Sequence, residues 1–175
     1  KEIPSVQMVT RQGIAYEVNS TTPFTGTVVD YFSDGNVSQK ASFKNGKEDG
    51  PWEYYSKNGQ LINKLNYKDG MLNGLVERYH ENGQLESKYP YRENMPEDGF
   101  YQAFLSNGEP ADNGQYLDGN KHGPWEFYTC GYRSELDGKL YALTECRLEE
   151  KINYKDGKKH GRYEKYKSGG SVLIN

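Results

Sequence analysis

The chain has 175 residues, a formal net charge of −3 and a pI near 5.7, so it holds no bulk attraction for phosphate backbones or anionic membranes. Only 34% of it is hydrophobic and its mean hydropathy is −1.01, which excludes a large, closely packed two-layer core. The apolar material is concentrated in rings, 16 Tyr, 6 Phe and 2 Trp, and is punctuated by 20 Gly, a composition suited to half-wet sheets closed by turns.

Residues 1–25 precede any recurring pattern. Within them Arg11-Gln12-Gly13-Ile14-Ala15-Tyr16-Glu17-Val18 reads as one or two strands, and the segment is expected to act as a cap that blunts an open sheet edge. From residue 26 to 175 a unit of about two dozen residues repeats, opening at Gly26, Gly50, Gly74, Gly99, Gly123 and Gly161 with spacings of 24, 24, 25, 24 and 38. A fixed period of this size signals a stacked array of small units.

Each unit reads as a hairpin. Asp34-Gly35, Asn58-Gly59, Asn82-Gly83 and Asn107-Gly108 lie between strand-like runs and predict two-residue type I′ turns. That register sets Glu53 against Lys64, Glu77 against Lys88, Gln102 against Asn113 and Glu126 against Lys151, with Val29 against Lys40 as the exception. Beside these pairs, Val28 with Ala41, Trp52 with Leu65, Val76 with Tyr89 and Trp125 with Ile152 form an apolar seam. The opening glycines face rings, Gly26 with Phe43, Gly50 with Tyr67, Gly74 with Tyr91, Gly99 with Tyr116 and Gly123 with Tyr154, which predicts that each ring lies across its glycine. Asn45-Gly46, Asp69-Gly70, Asp118-Gly119 and Asp156-Gly157 supply the bend into the next hairpin. In the third unit Asn94 replaces that glycine, and a turn with a local bulge is expected.

The fifth unit is longer by 14 residues, an insertion around 129–150 that contains both cysteines, Cys130 and Cys146. Pairing counted outward from Asp137-Gly138 is out of step with the pairing of Glu126 and Lys151, so bulges are expected where the cysteines approach. A disulfide there closes a loop worth roughly 3 kcal/mol and points to the periplasm or the cell surface. Two separate reduced thiols are the alternative, and they leave the cytoplasm open. The chain begins at Lys1, where a removed leader and a trimmed chain look alike.

The motif G-x-W-x-x-Y-x-x-N-G-x-L followed by Y-K-D-G-K-x-x-G is clearest from Gly50 to Gly74, and from Gly123 to Tyr128 joined to Tyr154 to Gly161. It resembles the MORN repeat in its bacterial variant, over about Gly26 to Val172. The resemblance implies an all-β fold, an elongated single-layer antiparallel β-hairpin repeat array, and a role as an interaction scaffold; many bacterial variants are labelled antitoxin-like. It implies no catalytic residue.

The residues themselves offer little chemistry. His122 and His160 share one place before the opening glycine, His80 has no motif partner, and HExxH, paired CxxC, P-loop, GxGxxG and GxSxG patterns are absent. No catalytic residue, metal site or cofactor is expected, and the column Glu53, Glu77 and Glu126 is read as neutralised by the lysines opposite. Strand alternation places Tyr31, Tyr55, Tyr79, Phe104, Tyr128 and Tyr166 on the charged face, away from the seam. This stripe is read either as a stack that stiffens the sheet or as a recognition surface. The expected function is a non-enzymatic scaffold that binds another protein, as a toxin-neutralising, immunity-like protein or an exported interaction module. The alternative is a cell-wall glycan binder or a membrane-peripheral scaffold; net acidity speaks against the membrane, and nucleic acid is not expected.

Overall fold

The computed structural model describes the backbone of residues 1–136, 139–166 and 172–174, and the side chains of 1–129 and 146–166. The chain divides into two compact units, Lys1–Gly83 with Pro90–Pro96, and Gln84–Tyr89 with Glu97–Asn175. Both are antiparallel hairpin sheets, so the all-β repeat array expected from the sequence is the fold.

In the first unit β1 (Glu2–Pro4), β2 (Met8–Arg11) and β3 (Ile14–Glu17) precede β4 (Gly26–Tyr31), β5 (Val37–Lys44), β6 (Lys47–Tyr55), β7 (Leu61–Lys68), β8 (Met71–Leu72) and β9 (Gly74–Tyr79). β1 runs parallel to β4 and covers that edge, while β2 and β3 form a hairpin of their own. This small hairpin turns the single layer into two layers locally. Ile3, Ala15 and Phe24 from the N-terminal segment are buried with Val28, Ala41 and Phe43, and Met8 and Trp52 pack against them.

β10 (Leu85–Arg92) contributes to both units, and β11 (Met95–Pro96) pairs with its end. The second unit continues with β12 (Gly99–Phe104), β13 (Pro110–Leu117), β14 (Asn120–Leu136), β15 (Lys139–Lys155), β16 (Lys158–Tyr166) and β17 (Val172–Ile174). The insertion lengthens β14 and β15 to 17 residues each, and their register shifts three times between Phe127 and Leu136. The tip at Asp137-Gly138 lies outside the described residues.

The cross-strand register agrees with the sequence at Gly26–Phe43, Val28–Ala41 and Val29–Lys40, at Gly50–Tyr67, Trp52–Leu65 and Glu53–Lys64, at Gly99–Tyr116 and Gln102–Asn113, and at Gly123–Tyr154, Trp125–Ile152 and Glu126–Lys151. The turn types are exchanged. Ser56 N–H donates to the Gln60 carbonyl (2.9 Å) and Gly59 N–H to that of Ser56 (2.9 Å), and only Gly59 of the Asn-Gly pair has positive φ. This is a three-residue loop, a type I turn ending on a left-handed glycine, with Ile62 bulged out between the Tyr55–Leu61 and Tyr54–Asn63 pairs. The loops at Gly35 and Gly108 repeat it. Asn58 is there for its side chain, because Oδ1 accepts from Gln60 N–H at 3.2 Å; Asp34 and Asn107 make the same bond at 3.0 Å.

The two-residue type I′ turns are instead the bends between hairpins. Asn45, Asp69, Asp118 and Asp156 have φ of 50–51° and each precedes a glycine that is also left-handed. In the third unit Glu93 and Asn94, at 50° and 66°, make the same turn between Arg92 and Met95. No bulge sits in that turn; the extra residue falls between Pro96 and Gln102.

The opening glycines also act differently from the sequence expectation. A Cβ on Gly50 would meet the Cβ of Ser42 at 3.2 Å rather than the Tyr67 ring, and one on Gly123 would meet nothing within 4 Å. What these positions need is positive φ, 107° at Gly50 and 67° at Gly123. The reason is a bulge: between the Phe43–Glu48 and Ala41–Trp52 pairs, Asp49, Gly50 and Pro51 stand against Ser42 alone. The ring-over-glycine arrangement occurs elsewhere, at Gly114, where a Cβ would fall 2.1 Å from the Trp125 ring.

Candidate functional site

One face of each unit carries a charged row. Lys40, Glu53, Lys64 and Glu77 lie side by side on β5, β6, β7 and β9. In the second unit the row runs Lys88, Gln102, Asn113, Glu126, Lys151 and Glu164. The sequence pattern gave the partners within hairpins; the structure adds those between hairpins, so Glu53 has a lysine on each side. Lys151 Nζ lies 2.7 Å from Glu126 and Lys64 Nζ 3.9 Å from Glu53. The Lys151 ammonium, more than the Tyr128 hydroxyl, holds the Glu126 carboxyl below its ordinary range despite partial burial.

The aromatic stripe lies on this face and is fastened to the glutamates. The Tyr55 hydroxyl donates to Glu53 Oε2 at 2.8 Å, Tyr128 to Glu126 at 3.0 Å and Tyr166 to Glu164 at 2.6 Å. Residues two apart share a strand face, so the E-x-Y spacing dictates the bond. Burial first, then the bond to Glu53, pushes the Tyr55 hydroxyl up to about 12; Tyr79 is raised by burial and by Glu77. Tyr31 follows Val29 and Phe104 follows Gln102, so neither has a glutamate at that spacing; Tyr31 is 51% exposed. Within the stripe, Tyr55, Tyr79, Tyr128 and Tyr166 are therefore half-buried rings held by carboxylates.

The ring contacts collect on the opposite, seam face. In the first unit Phe24, Phe43, Trp52 and Tyr67 follow one another with centroids 4.9–6.2 Å apart. In the second, Trp125 lies against Tyr101, Tyr116, Phe127 and Tyr154 at 5.1–6.4 Å. Trp52 and Trp125 hold the same place in their repeats but sit differently. With Gly114 beneath it, Trp125 lies close to the sheet and its Nε1–H donates to the Gln115 carbonyl at 3.0 Å. Trp52 faces Ala41, and its Nε1 is buried without a partner.

Lys121 has no counterpart in the sequence reading. Its ammonium lies 4.0 Å from the Trp125 ring centroid, 4.8 Å from Phe127 and 5.5 Å from Tyr154, and its desolvation lowers the Lys121 pKa. The signal was a lysine two residues before an opening glycine, which alternation places on the seam face. His122 belongs to strand β14, paired with Gln115, and His160 to β16, not to the turns.

Cys130 and Cys146 are directly paired positions on β14 and β15, and Cys146 N–H donates to Glu109 Oε2 at 2.8 Å. The Cys130 side chain lies outside the described residues.

A family model described as MORN repeat variant matches residues 24–45, 48–69 and 72–93. A search of curated proteins finds no match to the chain.

Proposed function

The chain carries three consecutive MORN repeat variants through residues 24–93, and from that premise we propose that it is a non-enzymatic repeat scaffold that binds another protein through its charged face. The observation that carries this reading is the tyrosine stripe. Tyr55 and Tyr128 present rings whose hydroxyls are already fixed by Glu53 and Glu126, so little side-chain freedom remains to be lost on binding. Tyr31 and Tyr79 extend the row in the first unit, and Phe104 in the second. The neutralised charges between the rings supply a polar surround without a strong net field. A toxin held by an immunity-like partner is one protein such a face could serve, and an envelope protein held by an exported module is another.

Affinity capture from the source organism's lysate and envelope fraction, with wild type and a Tyr55→Ser/Tyr79→Ser variant in parallel, tests the reading. One stoichiometric protein captured by wild type alone is the expected outcome. Retention of wall glycan with no protein would replace this reading by the glycan one.

The paired positions of Cys130 and Cys146 support a second element of the proposal, a disulfide that braces the lengthened hairpin and places the protein in an oxidising compartment.

A further inference from the structure

A cavity of about 150 Å³ lies in the first unit, between the β2–β3 hairpin and the seam face of β4, β5 and β6. Trp52, Phe43 and Met8 give it apolar walls, and Asp30, Glu48 and Gln39 give it polar ones; none of its lining residues is lysine, arginine or histidine. The volume corresponds to about five water molecules, room for a small organic group.

The repeat itself indicates what belongs there. Glu48 pairs with Phe43 as Lys121 pairs with Tyr116, because each stands two residues before an opening glycine. In two repeats of the second unit that position delivers an ammonium to the ring of its own repeat, Lys121 over Trp125 at 4.0 Å and Lys159 over Tyr163 at 5.7 Å, while Glu97 holds it before Tyr101. In the first unit the ring is Trp52, the position holds a carboxylate, and a cavity lies beside both. We propose that the cavity beside Trp52 binds an alkylammonium group from outside, which occupies the place that Lys121 fills in the other copy.

Rings and carboxylates together suit this ligand. The ring faces attract a cation, and Glu48 and Asp30 supply opposite charge, Asp30 being oriented by the Ser5 hydroxyl. An anion meets two carboxylates and no cation. A neutral alcohol gains neither attraction. The site is on the face opposite the tyrosine stripe, so it stands or falls independently of the protein-binding reading.

The test follows the indole N–H resonances of Trp52 and Trp125, assigned with Trp52→Phe, during titration of the full chain with butylammonium, with N-acetyl-lysine methylamide and with neutral butanol. Saturable movement of the Trp52 resonance with an amine, without an equal effect from butanol, is expected. Glu48→Gln should weaken it about fivefold, and Glu48→Lys should abolish it, since the new lysine would occupy the site as Lys121 does. Binding of the blocked lysine as tightly as butylammonium assigns a partner's lysine side chain as the source; binding of butylammonium alone assigns a free amine. Absence of saturable movement with either amine, an equal response to butanol, or unchanged binding in both Glu48 variants overturns the proposal.

Discussion

At the scale of single residues, one rule of spacing creates the stripe. A glutamate two residues before a tyrosine on a strand shares its face, and the hydroxyl reaches the carboxylate at Tyr55, Tyr128 and Tyr166. The pH consequences have definite signs. The Tyr55 pKa is raised in the folded state, so its contribution to stability is complete below the ordinary tyrosine value of about 10 and is lost as pH rises through about 12. The Glu126 pKa is lowered by Lys151, so its contribution is complete above the ordinary glutamate range and is lost as pH falls through the lowered value. We predict that the difference between the tyrosinate absorbance titrations of wild type and Tyr55→Phe shows a group ionising near 12. A difference curve centred near 10 would show that the hydroxyl is not held by Glu53.

The tryptophan pair gives the second residue-scale prediction. Gly114→Ala puts a methyl group into the Trp125 ring, 1% exposed and with no room to yield, and should cost about 1–3 kcal/mol in denaturant unfolding. An unchanged unfolding midpoint would mean that Trp125 does not lie on that glycine. Only part of this was legible in the sequence. Glycine and ring recur together, but the ring that needs a glycine beneath it is on the next hairpin, and the opening glycine is demanded by its own backbone.

At the scale of elements, strand register was legible because most copies repeat its chemistry, acid against base or amide against amide and ring against glycine, and a slip of one residue would turn every side chain to the wrong face. Turn type was not legible, since both kinds of bend are written as Asn or Asp followed by Gly. What separates them is the conformation of the residue before glycine. Asn58 keeps negative φ and caps Gln60 with its side chain, whereas Asp69 is left-handed and closes a two-residue loop between Lys68 and Met71. The lengthened hairpin carries the prediction at this scale. Opposed Cys130 and Cys146 should give no titratable thiol in denatured, unreduced protein, and reduction should lower stability by about 3 kcal/mol. Two titrated thiols would exclude the bridge and remove the argument for an oxidising compartment.

At the scale of the whole molecule, two units carry the same two kinds of face, a seam of rings and a polar row with aromatic neighbours, whose charges alternate in the first unit and are interrupted by Gln102 and Asn113 in the second. Their sheets divide the work. In the first unit the N-terminal segment buries Val28, Ala41 and Phe43, and in the second Trp125 is enclosed by its neighbouring rings; the proposed recognition surface is the charged face of each unit. The stripe's location was readable from alternation alone. Its fastening to Glu53 and Glu126 follows from the same two-residue spacing, whereas the lysine over Trp125 and the cavity beside Trp52 were not readable, because they depend on contacts between neighbouring hairpins and with the N-terminal segment.

The measurement that tests the recognition reading most directly is the affinity of the captured protein for three forms of the chain: wild type, Tyr55→Phe/Tyr79→Phe/Tyr128→Phe, and Tyr55→Ser/Tyr79→Ser/Tyr128→Ser, each checked for its melting temperature. We predict that the phenylalanine form, which keeps its rings, binds within about tenfold of wild type, and that the serine form, still folded, loses about a hundredfold or more. Wild-type affinity in a folded serine form would show that the partner does not read the stripe.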